Sequence, residues 1–416
     1  MVRGETEQRC RHSLLGLAPG QQRAHLITPY SFPTTDADAF QDISAAQRDQ
    51  LLDDFAAAAL TRERAVTGGT HDDESRAWAR WEEYCLSIGC RDIFMDSLSK
   101  QERILLLGAF AMAVRNGRFS DSRFNTLAEG TVRGTISNVV QTFRSSGRQN
   151  PTKDADNELS ILLSRQFRAF RNDDPKEKQQ KALPFAVLDE LAKRQVTETD
   201  KSITQLTIGA AFFACRSCEY SKVPRREQKR TRLLCLRNIR FFRDGLLMPT
   251  QSDDLESADS VAITFEMQKN DLKHDTVIHG RTDDSVLCPV LQWARLANRI
   301  WSYPGASLDT PVCTVWRNGR MEHVTSKFIL QHLRSACSSY GSARLGFEPH
   351  EVGTHSLRSG AAMEMYLGEI PVYTIMLIGR WSSDAFLRYI RKQVEQFSRN
   401  VSKKMLTFRS FRHIPD

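Results

Sequence analysis

The chain has 416 residues, 40% apolar and 26% charged, the balance of an ordinary globular protein long enough for two or three domains. A net charge of +8 and a pI near 9.0 make a mild basic bias, far from a histone-like one. Such a bias suits a polyanionic partner, whose phosphates release counterions when neutralised, without demanding one. The longest apolar run, "ILLLGAFAMAV" at 104–114, is too short to span a bilayer and reads as a core helix, so no membrane association is expected. Nine scattered cysteines, an odd number with no secretory signal, point to a reduced intracellular compartment.

Residues 1–42 mix Pro, Gln, Arg and Thr without a sustained period and read as a flexible tail. Residues 43–70 form a helical extension: the Ala-rich amphipathic stretch "ISAAQRDQLLDDFAAAALTRERAV" is expected to stop at Gly68-Gly69. From 71 to 170 the signals are helical. Trp78, Trp81 and Cys85 share one stripe, and Val132, Ile136, Val139, Val140 and Phe143 share another. Arg133, Asn138, Gln141 and Arg144 stand off that second stripe, on a face that is either solvated or turned to a groove. "RNDDPKEKQQKA", 171–182, is charged, carries a Pro, and reads as a linker.

Beyond it, 183–416 reads as one domain. "LPFAVLDELAKR" and "SITQLTIGAAFFACRSCEYSKV" are predicted helices, the second nearly apolar and hence buried. "RLLCLRNIRFF", "VAITFEMQ" and "DTVIHG" are predicted strands, separated by turn signals at Arg243-Asp244-Gly245 and Lys269-Asn270-Asp271. Helical periodicity then returns from Cys288 to the end. The expected fold is mostly α with a small antiparallel β-sheet in the C-terminal domain, an α+β arrangement. "CRSC" at 215–218 has half the spacing of a zinc site, but no second pair completes it, so no metal is expected.

The chemistry-bearing residues are individually weak. Arg216 ends an apolar run with Glu219 three residues on, a spacing common in structural ion pairs. Lys269 lies in a predicted turn, His355 and Arg358 sit a helical turn apart in "THSLRSG", and Tyr389 is flanked by arginines in "FLRYIR". In order, they suit phosphodiester cleavage without a metal. Forked arginines match non-bridging phosphate oxygens, a tyrosine can attack if a base or cationic setting helps it, and a lysine can protonate the leaving 5′ oxygen. The chain has no Walker A loop, no acidic cluster at two-metal spacing and no GxSxG elbow.

The ordered series Arg216 with Glu219, Lys269, "HSLR", "GRW" and Tyr389 resembles the tyrosine recombinase (phage integrase-like) family. "IGRWSSDAFLRYIR" is similar to recombinases of eukaryotic mobile elements of the DIRS and Crypton kind. The resemblance is specific over 353–391, extends to the N-terminal helical domain in position and helix content only, and adds nothing for residues 1–70. It implies a helical core-binding domain followed by a catalytic domain, acting on double-stranded DNA as a homo-tetramer across two sites, with no cofactor, and in the nucleus if the source is eukaryotic. Arg216 and Arg358 would clamp the scissile phosphate, Lys269 would act as general acid, His355 as base, and Tyr389 as nucleophile. Where the family has His or Trp nine residues before its Tyr, this chain has Arg380 beside Trp381; Arg380 is expected to face phosphate, and Trp381 to donate through its indole N–H or to pack. Lys273 competes with Lys269 for the acid's role.

Arg133, Arg144 and the run "PRREQKRTR" with Arg225, Arg226, Lys229 and Arg230 are candidate DNA contacts, although the run equally fits a solvated loop or a nuclear-localisation patch. Two other readings stay open: a DNA-binding protein of this fold that no longer cuts, and a type IB topoisomerase-like enzyme.

Overall fold

A computed structural model describes residues 44–66, 68–119, 126–175, 180–223, 231–268, 273–383 and 387. The chain divides into two compact units, one ending at Glu177 and the other beginning at Lys178.

The first unit is helical: α1 (Ala45–Arg64), α2 (Gly68–Ser87), α3 (Lys100–Arg115), α4 (Glu129–Ser145) and α5 (Ile161–Asp173). The expected helix stop at Gly68-Gly69 is corrected. Helix α1 ends at Arg64, and the two glycines open α2, where first-turn amides need no intrahelical partner and glycine costs least. Among its described side chains α1 buries none, and Phe55 and Leu60 are exposed. The core is built from α2 to α5, with Trp81, Cys85, Leu107, Phe110, Val139 and Phe143 all essentially inaccessible. Helix α3 is one-sided rather than buried all round, since Leu105 and Met112 face outward. Ser99 caps it in a reciprocal capping box with Glu102.

The expected linker is shorter at both ends. Its first residues belong to α5, and Asp174 accepts from Arg115 and from the Glu129 amide (2.7 Å), closing the ends of α3, α4 and α5 together. Those bonds hold the Asp174 carboxyl below its ordinary pKa, the Glu129 amide first among the causes. At the other end the Lys181 and Leu183 amides donate to the carbonyls of Glu351 (3.1 Å) and Ser356 (3.0 Å).

The second unit runs α6 (Phe185–Lys193), α7 (Glu198–Phe212), α8 (Ser217–Tyr220), β1 (Ile239–Arg243), β2 (Leu246–Leu247), β3 (Ser260–Met267), β4 (Lys273–Gly280), α9 (Pro289–Trp301), β5 (Thr314–Arg317), β6 (Arg320–His323), α10 (Ser326–Tyr340), α11 (Ser342–Leu345), α12 (Ser356–Leu367) and α13 (Val372–Gly379). The main sheet is antiparallel in the order β2-β1-β3-β4. Asp244 and Gly245, both at positive φ (+52° and +75°), turn β1 into β2, as the sequence predicts for that turn. The protein is thus mostly α with a small antiparallel sheet.

Two expectations about this unit are corrected. The long helix over 202–223 breaks after Phe212, because Ala214 adopts φ +43° and Arg216 starts α8 from an extended conformation. Between Cys288 and the end, the hairpin β5–β6 interrupts the helices, turning at Asn318-Gly319 with φ +52° and +72°. The core gathers α6, α7, β1, β3, α9 and α10 around Trp293 and Phe213. At Gly209 a β-carbon would lie 2.8 Å from the Trp293 indole nitrogen, so glycine is what lets α9 approach α7.

Candidate functional site

The break after α7 is where the candidate site begins. A helix end leaves carbonyls without intrahelical donors and carries partial negative charge, so it attracts guanidinium groups. Here Phe213 and Ala214 turn their carbonyls to two different arginines. The Ala214 oxygen accepts from Arg358, and the Phe213 oxygen accepts from Arg380 Nη1 at 2.9 Å.

Arg358 comes from the first turn of α12. His355 caps that helix, its amide donating to Gln180 Oε1 (3.0 Å), and Ser356 Oγ accepts from the Gly353 amide (2.9 Å). The expected shared face of His355 and Arg358 separates by depth: His355 is exposed, while Arg358 is 2% exposed. A second Arg358 nitrogen donates to the Gly379 carbonyl, and its guanidinium lies 4.4 Å from the Trp381 ring centroid.

The motif "GRW" acquires a geometric reason. A β-carbon at 379 would sit 1.8 Å from the Trp381 ring, so only glycine fits under the indole. Arg380 then takes the left-handed conformation, φ +57°, that ends α13. Its side chain turns inward and is wholly buried: Nη2 donates to Glu219 Oε2 (2.8 Å), Nε to Gln268 Oε1 (3.1 Å), and the guanidinium packs 3.6 Å from the Phe265 ring centroid. Arg380 also donates to the carbonyls of Phe213 and Ile378, so protein acceptors meet its guanidinium on several sides. An arginine in that interior must satisfy its charge locally, and Glu219 does so.

Arg216 completes the cluster. Its Nη1 reaches Glu219 Oε1 (2.8 Å) and Gln268 Oε1 (3.2 Å), its amide donates to Glu219 Oε2 (2.7 Å), and its side chain is 18% exposed, the most open of the three arginines. Burial alone would push the Glu219 pKa up, but Arg380, Arg216 and Arg358 outweigh it and hold the carboxyl below its ordinary value. Arg216 and Arg380 thus bond the Glu219 carboxylate directly, and Arg358 adds a third positive charge nearby. Cys215 sits beside them as an inert thiol, pushed up to about 12, by burial first. Among the described residues no group of three His, Cys, Asp or Glu side chains is placed to hold a metal ion.

The structure therefore brings together Arg216, Glu219, Arg358, Arg380 and Trp381, with His355 at the head of α12. Lys269, Tyr389, Arg225, Arg226, Lys229 and Arg230 lie outside the described residues. Lys273, the alternative acid, opens β4 and is exposed. Arg133 and Arg144 are both exposed on α4 in the first unit; Arg133 donates to Glu129 Oε1 (2.6 Å) and lies 4.8 Å from the Phe167 ring centroid. Sequence reasoning missed Gln268, Phe265 and the Ala214 carbonyl. For the first two a signal existed, because period-2 alternation in "VAITFEMQ" puts residue 265 on the core face and residue 268 at the strand's end.

No family model matches the chain, and no curated protein does. Solved structures do. An integrase of the transposon Tn1549, in complex with transposon right end DNA, is 11% identical, with 73% of this chain and 85% of that one covered and a TM-score of 0.43. The site-specific recombinase XerH, bound to a palindromic substrate, is 12% identical over 74% of this chain and 70% of that one, with a TM-score of 0.44. The recombinase XerA is 13% identical over 83% and 100%, with a TM-score of 0.32. At that level of similarity the functional reading rests on this chain's own residues. No described helix is long and apolar enough to cross a membrane.

Proposed function

We propose that this protein is a tyrosine-type DNA strand transferase that cuts and rejoins duplex DNA. The observation that carries the reading is the cluster of Arg216, Arg358 and Arg380 around Glu219, with an exposed His355 heading the helix that bears Arg358. An oxygen-rich anion is the ligand such a site suits, and arginine forks bind phosphate better than point charges do.

In the reaction, Arg216 and Arg358 neutralise the non-bridging oxygens as charge grows at phosphorus. Tyr389 Oη attacks phosphorus while its proton passes to His355. The P–O5′ bond breaks, the 5′ oxygen takes a proton from Lys269, and the DNA 3′ phosphate remains ester-linked to Tyr389. A 5′ hydroxyl from another strand reverses these steps, so the phosphodiester's energy is kept and no ATP is consumed. The arginines supply the positive charge that a metal supplies elsewhere. Four protomers on two duplex sites would exchange strands, with Arg133, Arg144, Arg225, Arg226, Lys229 and Arg230 on the backbone.

The test is covalent trapping: the purified chain is incubated with nicked suicide duplexes from a random-sequence library in EDTA, and a denaturant-resistant adduct is mapped. An adduct on Tyr389, abolished by Tyr389→Phe, is expected. Relaxation of supercoils without joined products would replace this reading with a topoisomerase-like one. Salt-sensitive binding with no adduct would favour a DNA-binding protein that no longer cuts, a second reading that the internal acceptors of Arg358 and Arg380 already give some support.

A further inference from the structure

Gln268 follows β3 directly and is 1% exposed. Its Oε1 accepts from Arg216 Nη1 (3.2 Å) and Arg380 Nε (3.1 Å), and its Nε2 donates to Asp275 Oδ2 (3.2 Å). That orientation is dictated by its partners: guanidiniums only donate and an ionised carboxylate only accepts, so the amide oxygen must face the arginines. The amide thereby does two things at once. It ties the more open arginine to the buried one, and it stands between them and the Asp275 carboxylate on β4.

We propose that Gln268 is a positioning residue that sets the charge of the arginine cluster. A neutral acceptor at this place aligns Arg216 and Arg380 without adding a negative charge to the cluster. A carboxylate there would align them equally well and, together with Glu219, cancel two of the three guanidiniums. The proposal rests on the strand-transferase reading and adds to it a residue that never touches substrate.

Two near-isosteric variants separate alignment from charge. Gln268→Glu keeps the acceptor and adds charge; Gln268→Met removes the acceptor and adds none. Because Gln268→Glu also sets two carboxylates face to face, it is repeated in an Asp275→Asn background. Each full-length protein is melted to confirm folding, then assayed for duplex affinity across a salt series and for the rate of Tyr389 adduct on a nicked suicide duplex.

For Gln268→Glu, compared with the wild type and, in the second background, with Asp275→Asn alone, the slope of log Kd against log salt should fall by about one phosphate contact, with at least a tenfold slower adduct. Gln268→Met should keep the wild-type slope and slow the adduct alone. Equal slowing in both variants with unchanged slopes would reduce Gln268 to a packing residue and overturn the proposal. A wild type that binds duplex without reacting would end the cutting role, yet the slopes would still decide whether Gln268 sets the charge. A wild type that neither binds nor reacts overturns both.

Discussion

Removing Arg380 tests whether the buried ion pair organises the cluster. In the Arg380→Met variant, Glu219 keeps Arg216 but loses its fully buried partner at 2.8 Å, and the Phe213 carbonyl loses the donor at 2.9 Å. Breaking a buried pair by removing one partner costs about 3–5 kcal/mol, because the other charge stays desolvated. With a urea m-value of about 3 kcal/mol/M, the midpoint should fall by about 1–1.7 M. The chain has two compact units, so unfolding is best read by hydrogen exchange on peptides of the second unit, where a global signal would mix two transitions. Glu219→Gln should be comparably damaging, and the double variant should be less damaging than the sum by about 0.5–3 kcal/mol.

Acid gives a second readout with a defined sign. The Glu219 carboxyl titrates lower in the fold than its ordinary 4.5, so its stabilisation is complete above that value and is lost as pH falls through the folded one. Glu219→Gln should lack that part of the acid dependence. Single variants each costing under about 1 kcal/mol, or strict additivity, would refute the account of Arg380 as the cluster's buried anchor.

Three further outcomes are expected. His279, packed against the Phe213 ring at 4.6 Å with its Nε2 buried, is pushed down to about 4, by burial first. The unfolded chain therefore takes the proton first, and stability should fall by about 3 kcal/mol between pH 6.5 and 4, a slope that His279→Phe should flatten in pH-dependent denaturation. Gly360→Ala would put a β-carbon 2.0 Å from the Leu183 carbonyl, a backbone atom that cannot step aside, and should lower stability by about 1–3 kcal/mol in thermal melts. Gly319→Ala should cost about 1–2 kcal/mol, since φ +72° is forced by the β5–β6 turn, and the loss should appear as faster hydrogen exchange in that hairpin.

How far the sequence reached follows from the range of each signal. Helix stripes and strand alternation are local, so the core positions of α2 and α4 and the strands β3 and β4 were legible, whereas of the strand expected over 232–242 only the part from Ile239 pairs, as β1. The β5–β6 hairpin announced itself in "RNGR" through its Asn-Gly pair, and was missed because apolar periodicity on both sides outweighed four-residue strands. The break in α7 had no such marker. Its apolar run continues through Phe213, Ala214 and Cys215, and the chain leaves the helix because two arginines more than 140 residues away take the freed carbonyls.

The same reasoning explains what became of Arg380. Read along the chain it is a candidate donor for phosphate; an arginine's charge is visible in sequence and its depth is not. Depth is set by Gly379, which lets Trp381 fold over the backbone, and by Glu219 and Gln268, which arrive from α8 and the end of β3. The enclosed guanidinium holds Glu219 and Gln268, and Arg216 is the most exposed of the three arginines. The spacing of "GRW" is thus legible as geometry only after the tertiary contacts exist, whereas Arg216 with Glu219, three residues apart at the head of one short helix, was legible beforehand.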